Sequence, residues 1–292
     1  MNEERTVELG LHIADFTYPS GPTGLADDLT RIAVAAEESG FARVSVMDHV
    51  FQIGPVGPIE TDMLEAYTTL GYLAARTERV ELLAWVTAVS YRDPGLLAKM
   101  VTTLDVLSKG RAMLGIGAAW NSEESLGLGL FFPSMKERFE RLEETLQICL
   151  QMWSDEEGPY AGTHYRLERT MNVPQSLRRP HPPILIGGAG EKKTLRMVAQ
   201  YADACNLFDG PELPHKLDVL RRHCDDLGRD YAEIEKTVMG GAFAQEPTAT
   251  VAHLEELAKL GIQEYHGIIP NVSEIEPIRR IGAEVIPAVA AL

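Results

Sequence analysis

Short runs of aliphatic and β-branched residues alternate along the chain with longer segments whose apolar positions recur every three or four residues. The longer segments have the period of amphipathic helices, and the short apolar runs are typical of strands that are buried on both faces. Signals for helix starts support this pattern, because Asp93 precedes Pro94 and Ser134 has Glu137 three residues later. Eight strands are predicted, at residues 7–16, 42–49, 80–89, 111–119, 183–188, 203–208, 236–244 and 263–270.

Eight strand–helix units predict an α/β fold, a closed (β/α)8 TIM barrel that forms a single domain over residues 1–292. An open, doubly wound sheet is the alternative. Residues 154–182 interrupt the alternation. They are predicted to be a small insertion between the fourth helix and the fifth strand, with a hairpin around the segment THYRLE.

Charge and cysteine content narrow the class of partner. The net charge of −16 disfavours nucleic acid and anionic membranes, because both attract positive surfaces. Cys149, Cys205 and Cys224 are widely spaced, the amino terminus lacks the apolar core of a signal peptide, and no apolar run is long enough to cross a bilayer. We therefore expect a soluble, cytoplasmic protein with a small-molecule substrate.

The carboxyl ends of the predicted strands carry the candidate chemistry, as they do in TIM barrels generally. His49 follows the second strand beside Asp48, and an imidazole in that place can exchange a proton near neutral pH. A structural histidine that bonds a backbone carbonyl is the competing interpretation, and residue type alone favours it.

Four small residues follow the fifth strand and precede a helical pattern. Bare N–H groups at a helix entrance favour an anion, so we predict a phosphate site at Gly187, Gly188, Ala189 and Gly190. The glycines could instead serve only a tight turn. Their spacing does not match the GxGxxG dinucleotide motif.

Small residues also end the fourth strand, where Gly117 would let a flat group approach the barrel wall. Trp120 at its tip could stack on a ring or pack a lid, and Trp85 in the third strand suggests either a core plug or a wall behind a ligand. No lysine, zinc-binding motif or nucleophile elbow stands at a predicted strand end. We therefore expect no metal, and a cofactor that carries the chemistry.

Four segments together resemble a known family, the bacterial luciferase-like superfamily, in its branch that depends on the deazaflavin coenzyme F420. They are SVMDHV, VTAVSYRDPGLLAKMVTTLDVLSKGRAMLGIGAAWNSEE, RFERLEETLQICLQMW and ILIGGAGEKKTLRMVAQYADACNLF, and they fall in order over roughly residues 7–270. The resemblance implies a barrel, usually dimeric, with the cofactor ring at the mouth and His49 beside its reactive carbon.

The resemblance also implies a non-proline cis peptide against the ring, expected at Ala84–Trp85 with Trp85–Val86 as the alternative. It places the phosphate site on Gly187, Gly188 and Ala189. The candidate cofactor contacts are therefore Asp48, Ala84, Trp85, Val86, Thr87, Gly117, Trp120, Asn121, Gly187, Gly188, Ala189 and Gly190.

One departure from the resemblance concerns the substrate. Members that oxidise a sugar phosphate carry a catalytic glutamate just after the fourth strand, where this chain has Trp120 and Asn121. Asn121 can equally be a helix N-cap. We expect an F420-dependent oxidoreductase that moves a hydride to or from an organic substrate, active as a homodimer. An FMN-dependent monooxygenase is the alternative within the fold, and a non-catalytic flavin-binding protein is the alternative outside enzymes.

Overall fold

The computed structural model describes residues 7–243 and 246–290. The charged amino-terminal segment and Ala244, which ends the predicted seventh strand, lie outside these ranges. The strands are β1 (Glu8–Ile13), β2 (Arg43–Val46), β3 (Glu81–Ala84), β4 (Thr87–Ala88), β5 (Leu114–Gly117), β6 (Tyr160–Ala161), β7 (Arg166–Leu167), β8 (Ile184–Gly187), β9 (Ala204–Phe208), β10 (Glu235–Ala242) and β11 (Glu264–Ile268).

The helices pack outside these strands. They are α1 (Gly21–Glu38), α2 (Ala66–Ala74), α3 (Pro94–Leu107), α4 (Ser122–Gly127), α5 (Met135–Met152), α6 (Thr194–Tyr201), α7 (Leu213–Leu227), α8 (Pro247–Lys259), α9 (Glu276–Glu284) and α10 (Ile286–Val289). In the described part of the chain, no helix is both long and apolar enough to cross a membrane.

All strands except β6 and β7 close into a parallel barrel. The barrel wall has eight strand positions, which we call staves. Their order is β3-β2-β1-β11-β10-β9-β8-β5-β4, and β3 and β4 are consecutive halves of the third stave. A bridge between Leu82 and Ala112 joins β3 to the segment before β5, which completes the ring. The predicted TIM barrel is confirmed, and the open doubly wound sheet was the wrong alternative. The predicted insertion contains the hairpin of β6 and β7, in which Tyr160 pairs with Leu167.

The interior of the barrel is divided into an apolar and a polar half. Leu83, Trp85, Met113, Leu185 and Ala204 pack together in one buried cluster. The opposite half, on β1, β2 and β11, contains buried polar side chains, which are His12, Ser45, Glu264 and His266. Residues at the alternate positions of the same strands face the surrounding helices, as the period of two requires.

Arg43 lies at the amino-terminal base of the barrel. Arg43 donates from Nε to Glu81 at 2.7 Å, from Nη2 to Glu235 at 2.9 Å, and from Nη1 to the fully buried Glu264. These carboxylates come from β3, β10 and β11, so one guanidinium on β2 joins four staves. The planar fork of arginine suits such multiple pairing better than a lysine ammonium would.

Gly115→Ala tests how closely the staves are packed. A Cβ at Gly115 would lie 2.3 Å from the carbonyl oxygen of Ala84, which is strand backbone and has no room to retreat. We expect the free energy of unfolding to fall by about 1–3 kcal/mol, as for overpacked cores generally, measured by urea denaturation. Gly71→Ala in α2 is the control, because its Cβ meets nothing within 4 Å and should stabilise the helix by about 0.5–1 kcal/mol. Equal stability of the two variants would contradict this packing.

Candidate active site at the barrel mouth

His49 lies just beyond the end of β2 and is held by a carboxylate from α4. Its Nδ1 lies 2.5 Å from Oε1 of Glu124, a side chain that is fully buried. The other oxygen of Glu124 accepts the N–H groups of Val50 at 2.7 Å and Phe51 at 3.2 Å. Burial would raise the pKa of Glu124, but the hydrogen bonds from His49 and Val50 outweigh it, and that pKa lies below its ordinary value.

The ionised Glu124 fixes the tautomer of His49. A carboxylate without a proton can only accept, so the proton of a neutral His49 is on Nδ1. Nε2 is then an acceptor, and it bonds no other described residue. The structure therefore leaves one nitrogen of His49 as an oriented acceptor at the end of β2.

Trp120 stands beside His49 with its edge toward the imidazole. The ring centroids are 5.5 Å apart with an interplanar angle of 72°, and Trp120 is 63% exposed. This exposed face is free to contact a ligand. Asn121 caps α4 instead, since its side-chain oxygen accepts the N–H of Glu123 at 3.1 Å, as the N-cap interpretation expected.

The third stave, broken between β3 and β4, lies next to β2 and therefore close to His49. The cis peptide joins Trp85 to Val86, so the preferred position at Ala84–Trp85 was wrong by one residue and the alternative is confirmed. The Trp85 indole turns into the barrel and lies 3.6 Å from the His266 ring, centroid to centroid. Trp85 is thus a core plug, and Ala84 is buried as well.

Val86 is the residue of this break that reaches the mouth. Its side chain lies between two glycines, because a Cβ on Gly117 or on Gly187 would come within 2.9 Å of a Val86 methyl group. The two glycines let the break press against β5 and β8. Val86 and Gly187 are half-buried and Gly117 is buried, so these three residues form one packed patch of the barrel wall.

Asp48 and Thr87, two of the predicted cofactor contacts, are hydrogen-bonded to other groups of the protein. Asp48 accepts both terminal nitrogens of Arg92 at 2.8 Å and the N–H of Ala88 at 2.9 Å. Thr87 is fully buried, and its hydroxyl lies 2.8 Å from that of Tyr67. Both side chains are therefore buried and held by protein partners.

The glycine loop after β8 is longer than predicted. Gly188 has a φ of 120° and donates its N–H to the Asn206 carbonyl at 3.1 Å, which ties it to β9. The helix α6 begins only at Thr194, after a turn at residues 191–193, so the glycines do not adjoin the helix start directly. The expectation that Gly188 offers its N–H to an anion was wrong.

The rest of the loop keeps unpaired donors. Within residues 7–243 and 246–290, no acceptor is hydrogen-bonded to the N–H groups of Ala189, Gly190, Glu191, Lys192 and Lys193. The Thr194 hydroxyl lies over Gly190, where a Cβ would come within 2.8 Å of its oxygen. A run of free N–H groups with a hydroxyl beside it fits a phosphate. Thr194 was missed by the sequence analysis.

No group of three or more histidine, cysteine or acidic side chains in the described residues is arranged to hold a metal ion. This end of the barrel combines an imidazole held by a carboxylate, the packed Val86 patch, an exposed aromatic ring and a set of free N–H groups. These features suit a planar cofactor with a phosphate.

Glu124→Gln tests the charge that orients His49. Folding lowers the pKa of Glu124, so the ionised side chain stabilises the folded protein. This contribution is complete above the pKa of the unfolded state and is lost as the pH falls through the lower pKa of the folded state. We expect Glu124→Gln to lower the free energy of unfolding by roughly 1.5–3 kcal/mol at pH 7, with a smaller difference at pH 4. The exposed neighbour provides the control, Glu123→Gln. A difference that does not shrink in acid would contradict an ionised Glu124.

Comparison with known proteins gives the chain a family. An F420-dependent glucose-6-phosphate dehydrogenase of Kineococcus radiotolerans is 31% identical over 248 residues, which are 82% of this chain and 70% of that protein. The protein of the same name from Nakamurella multipartita is 36% identical over 224 residues, 74% of this chain but only 62% of its own length.

An F420-dependent secondary alcohol dehydrogenase, solved with an F420–acetone adduct, superposes with a TM-score of 0.81 at 18% identity, covering 97% of this chain and 99% of that one. This likeness shows the fold. The model of the luciferase-like monooxygenases matches residues 11–273. The chain is therefore a member of the luciferase-like monooxygenase family.

Proposed function

We propose that this protein is an F420-dependent oxidoreductase that transfers a hydride between the deazaflavin and an uncharged organic substrate. The observation that carries the proposal is His49, whose Nε2 is left free at the mouth while Glu124 holds Nδ1. The relatives named as F420-dependent dehydrogenases support this cofactor over FMN. A homodimer is proposed on the family resemblance alone.

The residues of the mouth fit the cofactor. Val86, seated on Gly117 and Gly187, would back the ring. The free N–H groups of the glycine loop and the Thr194 hydroxyl would hold the phosphate. When bound, the deazaflavin supplies hydride transfer at its C5 carbon.

His49 would move the proton that accompanies the hydride. In alcohol oxidation, Nε2 accepts the hydroxyl proton, and the imidazolium that results is stabilised by Glu124 through Nδ1. In the reverse direction the same imidazolium donates. Because Glu124 also bonds Val50 and Phe51, the base stays in place during either step.

The charge around the mouth indicates the class of substrate. The loops that follow the barrel strands contain three basic residues, Arg92, Lys192 and Lys193. Arg92 is paired with Asp48 and Glu65, and the two lysines belong to the glycine loop. None of these three cations is therefore available to a phosphate on the substrate, and Arg138 of α5, which reaches the loop of Trp120, is buried and donates to the Ala119 carbonyl at 2.8 Å. Trp120 and Phe208, each 63% exposed at strand ends, instead offer apolar contact.

Titration of the purified protein with F420 and, separately, with FMN tests the cofactor. We expect F420 to bind, and the quenching of its fluorescence measures the binding. Gly190→Val should weaken F420 binding by more than about tenfold, a loss of ~1.4 kcal/mol in binding free energy. A side chain at Gly190 collides with Thr194 and covers the donors. Gly158→Val in the insertion, where a Cβ meets nothing within 4 Å, is the control. Tight binding of FMN with no response to F420 would favour the monooxygenase.

A panel of F420-reduction assays tests the substrate class and the base. We expect oxidation of a secondary alcohol such as cyclohexanol, and none of glucose 6-phosphate. His49→Ala should lower kcat by about 10²–10⁴-fold, because a positioned base contributes that much, while F420 affinity stays close to that of the unaltered protein. Oxidation of the sugar phosphate would refute an uncharged substrate. F420 binding without turnover of any compound would favour the non-catalytic alternative.

A further inference from the structure

The glycine loop after β8 contains one residue that phosphate binding does not explain. Glu191 stands among the free N–H groups that would hold the phosphate, and its carboxylate has the same sign of charge as that ligand. Hydrogen bonds from Lys216 and His215 lower the pKa of Glu191, so the side chain is ionised at neutral pH. Because like charges at short range repel, Glu191 does not serve to attract the anion.

Three side chains of α7 bind Glu191. Nζ of Lys216 lies 2.6 Å from Oε1 of Glu191, and Nε2 of His215 lies 3.0 Å from the same oxygen. Nε2 of His223 donates to the backbone carbonyl of Glu191 at 2.7 Å. Lys216 and His223 share one face of α7, so a single helix face holds both the side chain and the backbone of this loop residue.

The hydrogen bond from His223 determines which nitrogen of its ring carries a proton. A carbonyl oxygen can only accept, so the proton is on Nε2. Nδ1 of His223 is buried and has no partner in the part of the chain that the structure describes. The attachment of this imidazole to the protein is therefore its bond to the Glu191 carbonyl.

Both flanks of Glu191 are attached as well. The N–H of Gly188 donates to the Asn206 carbonyl of β9 at 3.1 Å, and the carbonyl of Gly190 accepts the N–H of Leu195 in α6 at 3.0 Å. These bonds and those from α7 use carbonyls, the Glu191 side chain and the N–H of Gly188. They fix the loop backbone and leave the N–H groups of residues 189–193 for a ligand.

A loop that is fixed before its ligand arrives binds more tightly, because ordering the loop then costs no free energy during binding. Three glycines, Gly187, Gly188 and Gly190, give this loop more backbone freedom than other residues would. An exposed ion pair alone contributes little. The Lys216 side chain is only 19% exposed, however, and its bond to Glu191 acts together with the bond from His223 to the backbone.

We propose that Glu191 is a positioning residue, which ties the glycine loop to α7 so that the free N–H groups are in place before a phosphate binds. This role rests on the proposed binding of F420. The carboxylate opposes the anion through its charge and favours it by fixing the loop, and the second effect is the larger one.

Glu191→Ala tests the proposal, because charge and position predict opposite results. Loss of a negative charge alone would tighten the binding of an anion. We expect F420 binding, measured by fluorescence, to weaken by about threefold to tenfold, with kcat at saturating F420 unchanged. Glu191→Gln keeps an acceptor oxygen and should recover part of the affinity. Glu212→Ala is the matched control, since Glu212 is an exposed carboxylate at the start of the same helix and makes no side-chain capping bond.

His223→Leu separates position from charge in a second way. Leucine cannot donate to the Glu191 carbonyl, and every charged side chain of the loop stays in place. We expect F420 binding to weaken in this variant too, in the same direction as in Glu191→Ala.

Digestion of the cofactor-free protein with trypsin measures the loop directly. Lys192 and Lys193 follow Glu191 and are exposed, so trypsin can cleave after them. We expect this cleavage, followed by mass spectrometry, to be faster in Glu191→Ala and His223→Leu than in the unaltered protein or Glu212→Ala. Inorganic phosphate should slow the cleavage, and the phosphate concentration that halves the rate should be higher in the first two variants.

Two outcomes would overturn the proposal. One is binding of F420 or phosphate to Glu191→Ala that is as tight as in the unaltered protein or tighter, since the carboxylate would then act through its charge alone. The other is a rate of cleavage after Lys192 and Lys193 that does not change. If phosphate protects the unaltered loop but F420 does not bind, the proposed function fails and the positioning of the loop stands. Failure of the unaltered protein to bind either probe would remove both.

Discussion

The geometry of the mouth depends on three positions where no side chain fits. The Ala84 carbonyl occupies the space beside Gly115, and the Val86 methyl groups occupy the space beside Gly117 and Gly187. Glycine permits such close approach of backbone to backbone. Because β5 and β8 are bare there, the third stave can break, send Trp85 inward and present Val86 as a wall. The position of Val86 at the mouth therefore depends on the absence of side chains at Gly117 and Gly187.

Much of the fold could be predicted because the local spacing of apolar residues indicates each strand and helix. Alternation of short apolar runs with amphipathic segments is sufficient to indicate eight staves, and the position of His49 follows from its place directly after one of them. The insertion was also predictable, because residues 154–182 break the period. The break in the third stave was predicted from family resemblance, and its register was wrong by one residue, at Trp85–Val86.

Contacts between distant segments could not be predicted. Glu124 is 75 residues from His49, and in the sequence it resembles any acidic residue in the first turn of a helix. Its burial arises only when the segments that follow β2 and β5 come together. The partners of Asp48 and Thr87 are likewise distant in the sequence, since they are Arg92 and Tyr67 of α2. The late start of α6 could have been predicted more easily, since the threonine in EKKTLRM is a reasonable marker of a helix start.

The arginine at the base has a consequence for how the chain reaches its native state. The partners of Arg43 are 38, 192 and 221 residues further along the chain. A buried guanidinium that lacks its carboxylates carries an uncompensated desolvation penalty of several kcal/mol. During synthesis on the ribosome, Arg43 lacks its partners Glu235 and Glu264 until the last two staves have been made. Full pairing of Arg43, and with it closure of the ring, therefore waits until β10 and β11 have been made.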